Sequence, residues 1–220
     1  MKLPPWSHTF LRDYQNCQHK SFRRFVLRDL PFESTEAMEE GKRVHEALAR
    51  RIGKGTPLPG SMRGYEPVCS LFDGRVCYTE LKLGIDRSRL SCGFFDDQVY
   101  GRGIIDLAVI DRERRRAMLV DWKTGKPRED NLELKLQAVL LAARYPYLER
   151  IAGHLFWTRT MRPGPMYDLS DIEATWEEVQ RSMHEVERSF RLDDWPKDEN
   201  PLCGWCPVLD CEYNRKKAVA

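Results

Sequence analysis

Residues 104–123 constrain this chain more than any other stretch: IIDLAVI, then the charged run DRERRR, then AMLVDWK. Two apolar runs flanking a solvated turn predict a β-hairpin. Strand side chains alternate faces, so Asp121 and Lys123, two apart, point the same way. A turn centred near residue 113 or 114 sets Asp106 opposite Asp121, on that same face. Two opposed carboxylates repel, and a divalent cation between them is the natural reason to tolerate the pair. A lysine beside that cation suggests chemistry as well as binding. Asp-x-Lys alone is a common tripeptide, so its weight depends on what else converges on it.

A chain of 220 residues can bury one good core with a small appendage. Hydrophobic content of 41% fits a globular protein, and no stretch has the run of apolar residues that spans a bilayer. The start, MKLPPWSHTF, lacks a signal-peptide core, which predicts a cytoplasmic protein with no membrane partner. Charge is abundant (32%) yet balanced at +2, so any basic footprint for nucleic acid must be local. Seven cysteines, an odd number, argue against a disulfide framework in a reducing compartment.

Along the chain, Ser7 caps a helix carrying Phe10, Tyr14 and Cys17 on its inward face. Lys20, Arg23, Arg24 and Arg28 then interleave with Phe22, Phe25 and Val26, a pattern that fits a nucleic-acid track and a solvated amphipathic helix equally well. Arg102 and Lys126 are further candidate DNA contacts. Ser34 or Thr35 begins a helix ending near Gly53 and Gly55, with Met38, Gly41, His45, Leu48 and Ile52 on its stripe. His45 is thus either a core histidine or a ligand. Val76–Ile85, Leu90–Phe95 and the segment from Gln98 read as successive strands of an antiparallel meander leading into the hairpin. Glu80, in the first of these, faces either the site or solvent. Asp130 or Asn131 caps a helix to about Arg144 that carries Gln137 inward, where a polar partner must meet it. A strand over His154–Thr160 precedes a last helix capped by Ser170, with Ile172, Trp176, Val179, Met183, Val186 and Phe190 as its stripe.

The tail differs in kind, with Cys203, Cys206 and Cys211 spaced C-x2-C-x4-C and no periodic pattern. Clustered thiols in a loop indicate a metal or iron–sulfur site, either zinc or a cluster, and a fourth ligand must come from Cys17, Cys69, Cys77 or Cys92.

The ordered set of His45, Gly103-x-x-Asp106, Asp121-Trp122-Lys123 and Gln137 resembles the PD-(D/E)XK nuclease superfamily, and within it the RecB-like branch with the CRISPR-associated RecB-like exonucleases. The resemblance covers nearly the whole chain. It implies an α/β fold with a restriction-endonuclease-like core, a mixed central sheet flanked by helices, over residues 1–195, whose first 55 residues form a helical part. Residues 196–220 are then a cysteine-rich tail completing a [4Fe-4S] site from Cys17, Cys203, Cys206 and Cys211, with Zn²⁺ as the alternative. It also implies a Mg²⁺ or Mn²⁺ site formed by His45, Asp106, Asp121 and the Trp122 carbonyl, with Lys123 and Gln137 completing the catalytic group. Tyr145 stands two turns after Gln137, where the family has a tyrosine after one. The final cysteine spacing is four, where five is common.

The activity implied is a metal-dependent DNA exonuclease at single-stranded ends or flaps, in recombination, repair or CRISPR-type processing, beside a helicase, integrase or recombination partner. The alternatives are an endonuclease of the same fold, a catalytically silent DNA-binding adaptor, and a zinc-binding interaction module, which explains the tail but not the hairpin.

Overall fold

A computed structural model describes residues 3–30, 34–127 and 130–215. The chain forms two compact units, one of residues 34–176 and the other of residues 1–33 with 177–220. The N-terminal helices thus share a unit with the cysteine-rich tail.

The larger unit is built on a seven-stranded mixed sheet: β1 (Cys77–Ile85), β2 (Ser91–Cys92), β3 (Gly101–Asp111), β4 (Arg116–Lys123), β5 (Arg150–Trp157), β6 (Arg162–Pro163) and β7 (Tyr167–Asp168). Its order is β2-β1-β3-β4-β5-β6, with β7 also on β5. The hairpin forms as expected: Leu107 pairs with Val120 and Asp111 with Arg116. The meander does not. β3 pairs directly with β1, and β2, cut to two residues, lies on the far side of β1. Side chains explain the short strand, because Asp86 Oδ1 accepts from the Ser88 and Leu90 amides and Asp96 Oδ1 from Gln98, which turns the chain on both sides of β2. β4 and β5 are parallel, which requires a crossover, and α5 (Leu132–Arg144) supplies it.

The helix α3 (Glu36–Lys54) starts at Thr35, whose side chain accepts from the Met38 amide, and stops at Gly55 in the left-handed region (φ 67°). Its buried residues are Val44, Ala47 and Leu48; of the expected stripe Leu48 is buried and Ile52 packs partly buried against the core, whereas Met38 is exposed. These three join Leu107, Val109, Val120, Trp122 and Phe156 in one core cluster, with Cys69 of the short α4 (Glu66–Cys69). α5 is buried almost all round, through Leu134, Leu136, Ala138, Val139, Leu140 and Leu141, as an apolar crossover helix should be.

In the smaller unit, α1 (His8–Asn16) has its cap at Ser7, as expected, and α2 (Gln18–Ser21) follows directly. α6 (Ile172–Leu192) runs from one unit's residues into the other's and buries Trp176, Val179, Met183 and Val186. Its cap is Asp171, which accepts from the Ala174 amide at 3.0 Å, because the Ser170 hydroxyl is already engaged by the Ile151 amide. Among the described residues no helix is long and apolar enough to cross a membrane.

Candidate active site

The site forms where β3 and β4 part. The register that pairs Leu107 with Val120 would next oppose Asp106 and Asp121, but the ladder stops one step short of them. Asp106 Oδ2 instead accepts the Trp122 amide at 2.9 Å, so a side chain replaces a strand partner and the carboxylates stay in one neighbourhood. On the other side of β3, pairs at Thr79–Leu107 and Leu81–Ile105 place Glu80 opposite Asp106. Glu80 has φ of 50°, a left-handed conformation in mid-strand that a glutamate adopts only under constraint.

α3 contributes His45, whose Nδ1 lies 3.3 Å from Asp106 Oδ1. Ligand atoms of His45, Glu80 and Asp106 all lie within 4.8 Å of one another, a group suited to one cation. This donor set fits Mg²⁺ through its carboxylates and Mn²⁺ through its added imidazole. Gly41, one turn before His45, lies against Thr124, where a Cβ would come 3.2 Å from Oγ1, so this glycine lets α3 approach the end of β4.

The second half of the site lies at Asp121, which is 2% exposed. Gln137 reaches it from α5, donating from Nε2 to Asp121 Oδ1 (3.1 Å) and to the Ile104 carbonyl (3.3 Å). That is the buried polar partner the amide required. Gln137 Oε1 is buried and among the described atoms has no hydrogen-bond partner. Lys123 Nζ stands 2.6 Å from Asp121 Oδ2 and 2.5 Å from Glu133 Oε2. Glu133 was missed in the sequence, although it lies one turn before Gln137 and therefore on the same face of α5.

Burial raises the Asp121 carboxyl, Glu133 and Asp106 add to it, and Lys123 only partly opposes them. For His45, burial alone would lower the imidazole, but Asp106, Asp121 and Glu80 outweigh it and raise it. Burial likewise pulls Lys123 down, yet Asp121 and Glu133 more than compensate and hold it as an ammonium ion. Lys123 can therefore donate to developing negative charge but is poorly placed to accept a proton.

The raised imidazole of His45 must lose its proton before it can bind a cation beside Glu80 and Asp106, so cation affinity rises with pH and binding releases protons. Calorimetry in two buffers of different ionisation enthalpy checks this; an affinity independent of pH contradicts it. In the metal-free protein the sign is opposite. The raised carboxyl of Asp121 favours the folded state at low pH, and that contribution is lost as pH rises through its pKa.

The remaining candidates have other partners. Tyr145 ends α5, 6.0 Å from the rings of Tyr78 and Tyr147. Lys20 and Arg24 both pair with Asp13, at 3.2 and 2.6 Å, and Arg23 pairs with Asp29 and Asp210. Lys126 is exposed in the loop after β4, and the Arg102 guanidinium stacks over Phe94.

In the smaller unit Cys17, Cys203, Cys206 and Cys211 all line one cavity of about 170 Å³. Cys69, Cys77 and Cys92 belong to the larger unit. No three of the four sulfurs lie within 4.8 Å of one another. Burial pushes the Cys206 thiol up, and Cys17 and Cys211 add to it. Asn214 ties the loop together, donating to the Cys206 carbonyl (3.0 Å) and the Val208 carbonyl (2.7 Å).

No curated protein sequence matches the chain. A family model described as the PD-(D/E)XK nuclease superfamily matches residues 75–211, more than half of the chain, and takes in Asp106, Asp121, Lys123, Gln137 and the three tail cysteines. His45 and Cys17 lie before the matched span. With this match, and with a mixed sheet that gathers two aspartates, a lysine and a glutamine at one strand fork, the chain belongs to the PD-(D/E)XK nuclease superfamily, whose members are metal-dependent nucleases.

Proposed function

We propose that this chain is a divalent-metal-dependent DNA exonuclease of the RecB-like branch, cytoplasmic, hydrolysing phosphodiester bonds at single-stranded ends or flaps. The observation that carries the reading is the convergence of His45, Glu80 and Asp106 on one point, beside the Asp121–Lys123 pair. When bound, Mg²⁺ or Mn²⁺ supplies charge neutralisation and Lewis acidity. Asp106, Asp121, His45 and the Trp122 carbonyl would hold it, with Glu80 as a further carboxylate. Lys123 donates toward the phosphoryl oxygens as negative charge develops on them. Gln137 fixes the rotamer of Asp121, and Glu133 fixes that of Lys123. The site supplies no motor, so a helicase, integrase or recombination partner would present the strand.

Incubating the protein with end-labelled linear and closed circular single-stranded DNA plus Mg²⁺ or Mn²⁺ tests this. Stepwise loss of nucleotides from the linear strand, with circles intact, is the expected result. Cut circles establish the endonuclease alternative instead.

Cys17, Cys203, Cys206 and Cys211 line one cavity and would hold a [4Fe-4S] cluster, each thiolate on its own iron, with Zn²⁺ as the alternative. Such a cluster would close the loop between the first helix and the tail, so its loss destabilises the smaller unit. Anaerobically purified protein should be coloured and contain iron, and Cys203→Ala should be colourless with a lowered melting temperature. Stoichiometric zinc in colourless, fully active wild type contradicts the cluster.

A further inference from the structure

The β1–β3 ribbon continues past the metal-ligand residues. From Glu80 opposite Asp106, the next pair two residues on is Lys82 with Ile104, and the next is Gly84 with Arg102. Lys82 is exposed, and so is Ile104, at 38%. At Gly84 the turn of residues 93–99 folds onto the ribbon. A Cβ there would come 2.9 Å from the Gly93 carbonyl oxygen, a backbone atom that cannot swing away, so only glycine admits this approach. Hydrogen bonds then staple the turn: Asp96 N donates to the Gly93 carbonyl, Val99 N to the Asp96 carbonyl, and Tyr100 N to the Ile85 carbonyl at 2.8 Å.

This rigid turn presents Phe94 and Phe95, edge to face with centroids 4.9 Å apart. Phe95 is 78% exposed, the most exposed large apolar side chain among the described residues. The Arg102 guanidinium lies over both rings, 5.0 Å from Phe94 and 5.8 Å from Phe95, and donates to the Phe94 carbonyl. An aromatic face held open beside a guanidinium offers a nucleobase a stacking surface and its phosphate a cation. At about 3.3 Å per residue, the four residues from Arg102 to Asp106 span roughly 13 Å. A strand held at one end thus reaches the other within a few nucleotides.

We propose that Phe94, Phe95 and Arg102 form a stacking platform for the bases of a single DNA strand whose scissile phosphate lies at the His45–Glu80–Asp106 group, with Lys82 flanking the path. The platform deepens the nuclease reading and rests on it. It selects unpaired strands, because duplex bases are stacked on one another and offer the ring no free face.

Fluorescence anisotropy tests it, using the protein as purified with no divalent metal added, so that nothing is cleaved. The probes are a labelled single strand, an abasic strand of equal length and a duplex; the proteins are wild type, Phe95→Ala and Phe95→Trp. Phe95→Ala should raise Kd for the single strand about 5- to 100-fold. Phe95→Trp should restore it, and neither the abasic strand nor the duplex should distinguish wild type from Phe95→Ala. Unchanged single-strand binding by Phe95→Ala overturns the platform, as does an equal loss on the abasic strand, which would mean a structural role or a surface for a protein segment. Cleavage with Mg²⁺ or Mn²⁺ separates the two claims. Wild type that binds by stacking but never cleaves defeats the nuclease reading alone, and wild type that cleaves while Phe95→Ala binds as tightly defeats the platform alone.

Discussion

Lys123→Ala lowers the single-turnover rate of DNA cleavage at saturating Mg²⁺ by about 10²- to 10³-fold, the usual size of losing one preorganised donor to a developing oxyanion. In the folded protein its ammonium stands between Asp121 and Glu133, at 2.6 and 2.5 Å. Removing it also leaves Asp121, in the metal-free site, buried beside two carboxylates without its ammonium partner, so its carboxyl holds a proton to still higher pH and a metal must displace that proton to bind. The residual activity should therefore shift toward alkaline pH, a signature that simple misfolding would not produce. Lys123→Arg rescues little, because a planar fork cannot occupy the place of a compact ammonium between two carboxylates. Glu133→Gln, which removes a positioning partner rather than the cation, lowers the rate less, and because it also removes a charge that raises the Asp121 carboxyl, it shifts the profile toward acid rather than alkaline pH. Wild-type rates in Lys123→Ala would remove the lysine from the chemistry.

The second large effect is at Asp106, where two functions can be separated. One oxygen faces His45 at 3.3 Å, and the other accepts the Trp122 amide at 2.9 Å. Asp106→Asn keeps an oxygen for that amide but loses the charge. Asp106→Ala loses both and leaves a buried donor unpaired, at about 1–3 kcal/mol. Both variants should lose more Mn²⁺ affinity than the roughly 10- to 100-fold expected for an outer-shell partner. Only the alanine variant should melt at clearly lower temperature. Calorimetric titration and thermal unfolding give the two readouts, and equal metal affinity in wild type and Asp106→Asn contradicts the assignment.

Much of the site was legible because it depends on local periodicity. The charged run centred the hairpin turn, and the observed register, Leu107 with Val120, leads to Asp106 and Asp121 as neighbours. Gln137 was carried inward by its place among apolar residues of α5, and Asp121 meets it. The sheet order was not legible, since a strand's neighbour in sequence need not be its neighbour in space. β2 therefore seemed to lie between β1 and β3, when β1 pairs with both. Glu80 was ambiguous for a related reason. Alternation cannot foresee a residue with φ of 50° in a strand. The ion partners of the basic stretch were not legible either, because the acids that pair with Lys20, Arg23 and Arg24 include Asp210, far away along the chain.

Asp106, Asp121, His45 and Glu80 would hold the divalent cation that hydrolysis of a DNA strand requires. A metal titration of cleavage tests this, with end-labelled single-stranded DNA, chelated protein and added Mg²⁺ or Mn²⁺, alongside Asp121→Asn. Cleavage should appear only with added metal, saturate with it, and be lost in Asp121→Asn. Cleavage that persists in excess chelator, or none with either metal on single-stranded or duplex DNA, contradicts it.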